Sequence, residues 1–282
     1  LYTKASYIKP RTLDEAVTLL AMGETRILSG GTDFYPALGE RVVRGAVLDV
    51  SGLGELRGVS READRFRIGG LTTWTEIIRT PLPRCFDALK SAAREVGSVQ
   101  IQNRGTVAGN LCNASPAADG VPPLLAVDAE VELVSRLGAR TMPLAEFIVG
   151  NRKTRCKADE LLTAVLVPRK LEDAASTFVK LGARRYLVIS ISMVAVVVQV
   201  RDQKVSEARV AVGSCSAVAR RLRALEGDLV GVSVHDGLGR AVTLEHLAPL
   251  SPIDDVRATA EYRIDASLRL VQRALNSCVE NG

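Results

Sequence analysis

The chain has 282 residues, 47% hydrophobic and 24% charged, the balance of a globular protein long enough for about two domains. Its net charge of +5 is scattered and aromatics reach only 4%, which speaks against the basic, aromatic-studded surface of a nucleic-acid binder. Five dispersed cysteines with no C-x-x-C pair argue against zinc or an iron–sulfur cluster held within the chain, and fit a reducing compartment.

Residues 12–22 read as a helix, with Thr12 as N-cap, Glu15 completing a capping box and Gly23 as the stop. Residues 26–28 read as a short buried strand entering Gly30-Gly31. Thr32 and Asp33 then cap a short helix through Leu38, and residues 46–50 form a second strand. This is a small α/β unit with its glycine loop at a strand's C-terminal end, where such sheets place ligands. Strands are expected at 56–60 and 66–68, and an amphipathic helix at 84–96 on Phe86, Leu89, Ala93 and Val96. A helix starting at Asp119 runs to Ala126, and strands follow at 130–134 and 160–167, the second ended by Pro168.

The polar stretch 169–176 reads as a domain boundary, dividing 1–170 (subdomains about 1–55 and 56–170) from 174–282. Beyond it, strands are expected at 178–181, 193–200 and 208–213, the last two joined as a hairpin at Asp202-Gln203. Helices are expected at 218–225, around 235–246 and at 256–279. Arg220, Arg221 and Arg223 read as a solvated helix face. The apolar run 193–198 is too short to span a bilayer. With no apolar signal core at the start, the expected location is the cytoplasm, without a membrane span.

The chemistry concentrates in two stretches. One is Ser29-Gly30-Gly31-Thr32-Asp33; the other runs from Thr106-Val107-Ala108-Gly109-Asn110 through Cys112 to Asp119. Glycine lacks a Cβ, so its backbone N–H can approach a phosphate closely. Two such loops could grip a diphosphate from both sides, which points to a dinucleotide cofactor. Each alone also fits a bland reading: a tight turn with a helix cap for the first, a structural loop for the second. No G-x-x-x-x-G-K-[ST] and no G-x-G-x-x-G between an early strand and helix is present, so neither a P-loop nor a Rossmann site is supported. His235 and His246 lie far from both loops and read as structural or surface residues. Cys112 reads as a small residue packed under a ligand. Asp33 and Asp119 would face hydroxyl or N–H groups, since a carboxylate beside a diphosphate repels it.

These residues resemble the FAD-binding medium subunits of the molybdenum hydroxylases, the family of bacterial xanthine dehydrogenases and carbon monoxide dehydrogenase. The resemblance rests on Gly30-Gly31-Thr32-Asp33, the lead-in Gln102-Asn103-Arg104-Gly105-Thr106, Gly109-Asn110 through Asp119, Asp159-Glu160-Leu161-Leu162, and Ala260-Glu261-Tyr262-Arg263. It covers essentially the whole chain. Gln102 stands where an arginine is common, and Ala108 replaces a frequent glycine. No cysteine-rich insertion is present, which argues against an extra cluster.

The resemblance implies an α+β fold. A two-subdomain FAD-binding domain of the PCMH type, as in vanillyl-alcohol-oxidase-like flavoproteins, would precede a smaller α/β C-terminal domain of antiparallel sheet and helices. Ile27, Leu28, Ser29, Gly30, Gly31, Thr32, Asp33 and Phe34 would line one side of FAD. Thr106, Val107, Ala108, Gly109 and Asn110 would hold the diphosphate from the other side, with Cys112 in the same motif. Asp119 would bind polar groups of the cofactor, Leu162 would pack on it, Lys180 would approach the isoalloxazine edge, and Tyr186 would lie near the ring. No catalytic acid–base residue and no metal ligand is implied in this chain. A large molybdopterin subunit and a small subunit with [2Fe–2S] clusters would complete a heterotrimer or its dimer, passing electrons through FAD to NAD or another acceptor. A stand-alone FAD oxidoreductase and a cofactor-free scaffold subunit are the alternatives.

Overall fold

The computed structural model describes residues 6–23, 25–41, 43 and 45–280. The first unit is β1 (Ser6–Ile8), α1 (Leu13–Leu20), β2 (Thr25–Leu28), α2 (Phe34–Leu38) and β3 (Ala46–Asp49). Its strands form a parallel sheet in the order β1-β3-β2. The Thr12 hydroxyl accepts from the Glu15 amide, while the Glu15 carboxylate turns to the Arg11 amide. Within β2 only Leu28 is buried; Arg26 and Ile27 are exposed, because this strand lies at the sheet's edge.

The second unit holds β4 (Val59–Arg61), β5 (Arg65–Gly69), α3 (Trp74–Arg79), α4 (Asp87–Glu95), α5 (Val99–Gln102), α6 (Val107–Asn113) and α7 (Val121–Ala126). It continues through β6 (Glu130–Ser135), β7 (Gly138–Pro143), α8 (Leu144–Phe147), a small hairpin β8 (Ile148–Gly150) and β9 (Lys153–Thr154), and β10 (Leu161–Pro168). An antiparallel sheet of order β4-β5-β10-β6-β7 results, with β10, buried from Leu161 to Val167, at its centre. Leu56 closes a 3-10 turn rather than opening a strand. The helix expected from Asp119 begins at Val121, with Pro122 and Pro123 in the first turn, where their missing N–H groups cost nothing.

The third unit is β11 (Ala175–Leu181), β12 (Ser192–Arg201), β13 (Lys204–Gly213), β14 (Arg220–Arg221), α9 (Arg223–Leu229) and α10 (Ala260–Glu280). Its antiparallel sheet runs β11-β12-β13-β14. The run 193–198 is buried on both faces by strand alternation. Met193, Ala195 and Val197 pack with Phe86, Leu89 and Ala92 of the preceding unit. Val194, Val196 and Val198 pack with Leu225, Val271 and Leu275. One strand therefore joins two cores.

Three expected helices change. Residues 218–225 divide into β14 and α9, because Arg220 and Arg221 pair with Val212 and Ala211. Arg221 is no solvated face: its guanidinium is buried against Glu226 and Asp128. Residues 235–246 form 3-10 turns at Val234–Asp236, Leu238–Ala241 and Leu244–Leu247. There Gly237 takes a positive φ, and Gly239 lies so close to α10 that a Cβ would sit 2.6 Å from the Gln272 carbonyl oxygen. The last helix starts at Ala260, whose amide donates to Asp254 at 2.6 Å. Among the described residues no helix is long and apolar enough to cross a membrane, and no group of His, Cys, Asp or Glu is arranged to hold a metal.

The β12–β13 hairpin turns through Asp202 and Gln203, both left-handed at φ 50° and 61°. A non-glycine residue pays a steric penalty there. Gln203→Gly is expected to stabilise the chain by about 1 kcal/mol, measured as a higher urea midpoint at unchanged m-value.

Candidate functional site

The first glycine loop leaves the C-terminal end of β2 and enters α2. The second stretch is not a loop at its core but the start of α6. Thr106 is the N-cap, its hydroxyl accepting from the Gly109 amide at 3.1 Å. Trp74 is the post around which this stretch folds. Its indole is buried, and Cβ atoms on Gly105 or Gly120 would lie 3.3 Å and 2.4 Å from it. The sole tryptophan thus sets the backbone at both ends of the motif.

The two loops meet. The hydroxyls of Ser29 and Thr106 share a 2.8 Å hydrogen bond. A Cβ on Gly30 would lie 1.9 Å from the Arg104 carbonyl oxygen, so only glycine lets the backbones touch. Gly31 follows at φ +77°, turning the chain into α2. On the outer side, Asn113 donates to the Asp33 carboxylate at 2.7 Å and accepts from Arg152. Asp33 occupies the N-cap position of α2 but makes no cap bond, because its carboxylate is used here.

A cavity of 570 Å³ opens between the loops, a volume typical of cofactor sites. Ile27, Ser29, Gly30, Gly31, Thr32, Asp33, Phe34, Thr106, Ala108, Gly109, Asn110, Cys112 and Leu162 all line it. The remaining expected site residues lie elsewhere. Leu28 and Val107 turn into the core. Asp119 and Lys180 form a buried ion pair at 2.7 Å, with Ser190 donating to the same carboxylate at 2.7 Å. Burial pushes the Asp119 carboxyl up, against the lowering pull of Lys180 and Ser190. The pair ties the entry of α7 to β11. Tyr186 is 61% exposed on the loop after β11, with the Arg185 guanidinium over its ring. His235 is exposed; His246 is buried, accepting from the Thr243 amide and bonded to Asp228.

The structure adds wall residues that pattern alone did not single out: Val50, Leu71, Trp74, Ile101 and Cys156. They come from five separate elements or turns, and only folding gathers them. Trp74 had a usable signal, since Thr73 and Glu76 form a capping box around it. Burial pushes the Cys156 thiol up to about 11, so it stays protonated at neutral pH, whereas Cys112 is exposed to the cavity.

The polar groups of the wall are unevenly spent. The amides of Val107, Ala108, Gly109 and Asn110 donate to Thr72, Gly70 and, twice, Thr106. Those of Gly30, Gly31 and Thr32 donate to no described residue. The Asn110 side-chain oxygen is buried beside Gly120 with no partner among the described residues. Free backbone donors over an apolar floor fit a large ligand with a planar apolar part and an anionic part.

Two outcomes follow from this geometry. Gly30→Ala is expected to cost about 1–3 kcal/mol by overpacking, whereas Gly54→Ala, with open space at its Cβ position, is near neutral; urea denaturation compares them. Glu160, also in the wall, lies below the usual carboxylate range, chiefly through its bonds from Arg140 at 2.6 and 2.8 Å. A lowered folded value means stabilisation present above the ordinary value of 4.5 and lost as pH falls through the folded one. The urea midpoint should therefore drop below that pH, and Glu160→Gln should flatten the drop.

Known proteins share this arrangement. Residues 3–170 match the FAD binding domain in molybdopterin dehydrogenase, and residues 177–278 match the CO dehydrogenase flavoprotein C-terminal domain. The chain is 30% identical to the putative xanthine dehydrogenase FAD-binding subunit of Escherichia coli (strain K12), over 99% of this chain and 97% of that protein. It is 38% identical to the nicotinate dehydrogenase FAD-subunit of Eubacterium barkeri, over 70% and 69%. A solved structure of carbon monoxide dehydrogenase from Hydrogenophaga pseudoflava superposes with a TM-score of 0.87 at 26% identity, covering 99% of each chain. A glycine turn touching a Thr-capped helix start over an apolar cleft, on this α+β frame, therefore has a family: the chain belongs to the FAD-binding domain family of the molybdopterin dehydrogenases, as an oxidoreductase flavoprotein subunit.

Proposed function

We propose that the cavity between the two loops holds FAD, and that the chain carries electrons from the [2Fe–2S] clusters of a partner subunit to NAD or another acceptor. The observation that carries this reading is the contact of the loops at Ser29–Thr106 and Gly30–Arg104, beside the free amides of Gly30, Gly31 and Thr32 in the cavity they bound. When bound, FAD supplies the redox chemistry: it exchanges electrons singly or in pairs, and so can join one-electron clusters to a two-electron acceptor. The residues here do the rest. Free amides of Gly30, Gly31 and Thr32 would face phosphate oxygens. Ile27, Leu161 and Leu162 would cover the cofactor's apolar face and exclude water. Asp119, one residue before the Gly120–Trp74 contact, would brace that wall through its ion pair with Lys180.

The relatives are named for xanthine, nicotinate and carbon monoxide, which have little chemistry in common. What such proteins share is an electron path, so the substrate would be chosen in a separate molybdopterin-bearing subunit. The expected assembly is a heterotrimer of large, medium and small subunits, or its dimer.

Purification of the full chain, with its absorption spectrum and flavin content, tests the binding part. The expected result is a yellow protein holding one FAD per chain. A colourless chain that takes up no added FAD overturns the proposal. Isolation with metal-bearing partners, and reduction of the flavin by substrate only in their presence, tests the electron path.

A further inference from the structure

We propose that Arg104, helped by Arg57, supplies the positive charge that holds the cofactor's diphosphate. This rests on the FAD reading above and adds to it the residues that neutralise the phosphates.

The main cavity has a charge deficit for such a ligand. Among the described residues, no lysine or arginine lines it, while Asp33 and Glu160 do. A diphosphate placed in low dielectric without a counter-charge is strongly disfavoured. The free amides of the first loop offer partial charges only, and those of α6 are already engaged.

The missing charge lies next door. A side pocket of 130 Å³ shares Ser29, Gly30 and Thr106 with the main cavity and adds Arg57 and Arg104. The residues where the loops touch therefore line both spaces. Arg104 is fixed there by its backbone: its amide donates to Ile101 at 3.1 Å, and its carbonyl lies against Gly30. Its guanidinium has no partner among the described residues and is exposed. Arg57 is already half compensated by Glu76, 3.3 Å away, which is itself held by the Thr73 amide and hydroxyl. Arg104 therefore carries the larger share. A guanidinium suits this duty, since its planar fork matches paired phosphate oxygens.

The test is FAD affinity of the flavin-stripped full chain, followed by flavin fluorescence at several salt concentrations. Arg104→Gln is expected to weaken FAD by about tenfold or more, with a flatter salt dependence, and Arg57→Gln by less. Arg104→Lys, which keeps the charge but not the planar fork, should recover part of the loss. The proposal is overturned if Arg104→Gln binds FAD within about twofold of the parent chain, below the loss of even one charged hydrogen bond. It is equally overturned if the loss leaves the salt dependence unchanged and Arg104→Lys restores nothing, which marks a purely structural role. A parent chain that binds no FAD at all defeats the underlying reading instead, and is recognised before any variant is compared.

Discussion

The site depends on one backbone contact: Gly30 resting on the carbonyl of Arg104, with Ser29 and Thr106 sharing a hydrogen bond beside it. A methyl group at position 30 would hold the two loops apart. The contact unites a parallel sheet of three strands with an antiparallel sheet of five. Neither sheet alone encloses a cavity. Together they leave one whose floor is apolar and whose rim carries amides and hydroxyls.

The surroundings hold that contact in place. Trp74 sets the second stretch by filling the space against Gly105 and Gly120. The Asp119–Lys180–Ser190 cluster ties the same region to the C-terminal sheet. Strand β12 then commits its two faces to two different cores, so the C-terminal unit is packed on the FAD-binding unit rather than tethered to it. Buried polar groups of this kind resist separation, because parting them would strand a charge.

Much of this was legible in the order of residues. Strand and helix periodicity placed β3, β6, β10, β12 and β13 within a few positions. The glycines at 30, 31 and 109 marked the backbone that had to come close. Errors fell where local pattern and tertiary contact compete. Residues 218–225 have helical composition, but hydrogen bonding to β13 drew two of them into a strand. Residues 235–246 were broken up by Gly237 and by the approach of α10 at Gly239. Asp119 stood out within the motif and Lys180 through the family resemblance, yet their pairing across 61 positions is not a local property.

By itself the sequence determined the kind of site: two glycine turns, a Thr-capped helix start, and flanks whose resemblance named a flavin family. Spacing and side-chain size are local properties, and local properties survive in the order of residues. Tertiary structure alone decided which groups remain free to act. It spent the α6 amides on Thr72, Gly70 and Thr106, left those of the first loop open, and stranded the Asn110 oxygen. It also put Arg57 and Arg104 behind the loops and kept every described cation out of the main cavity. Each backbone donor satisfies one strong partner at a time, and which partner arrives first is a matter of three-dimensional proximity, not of neighbours along the chain.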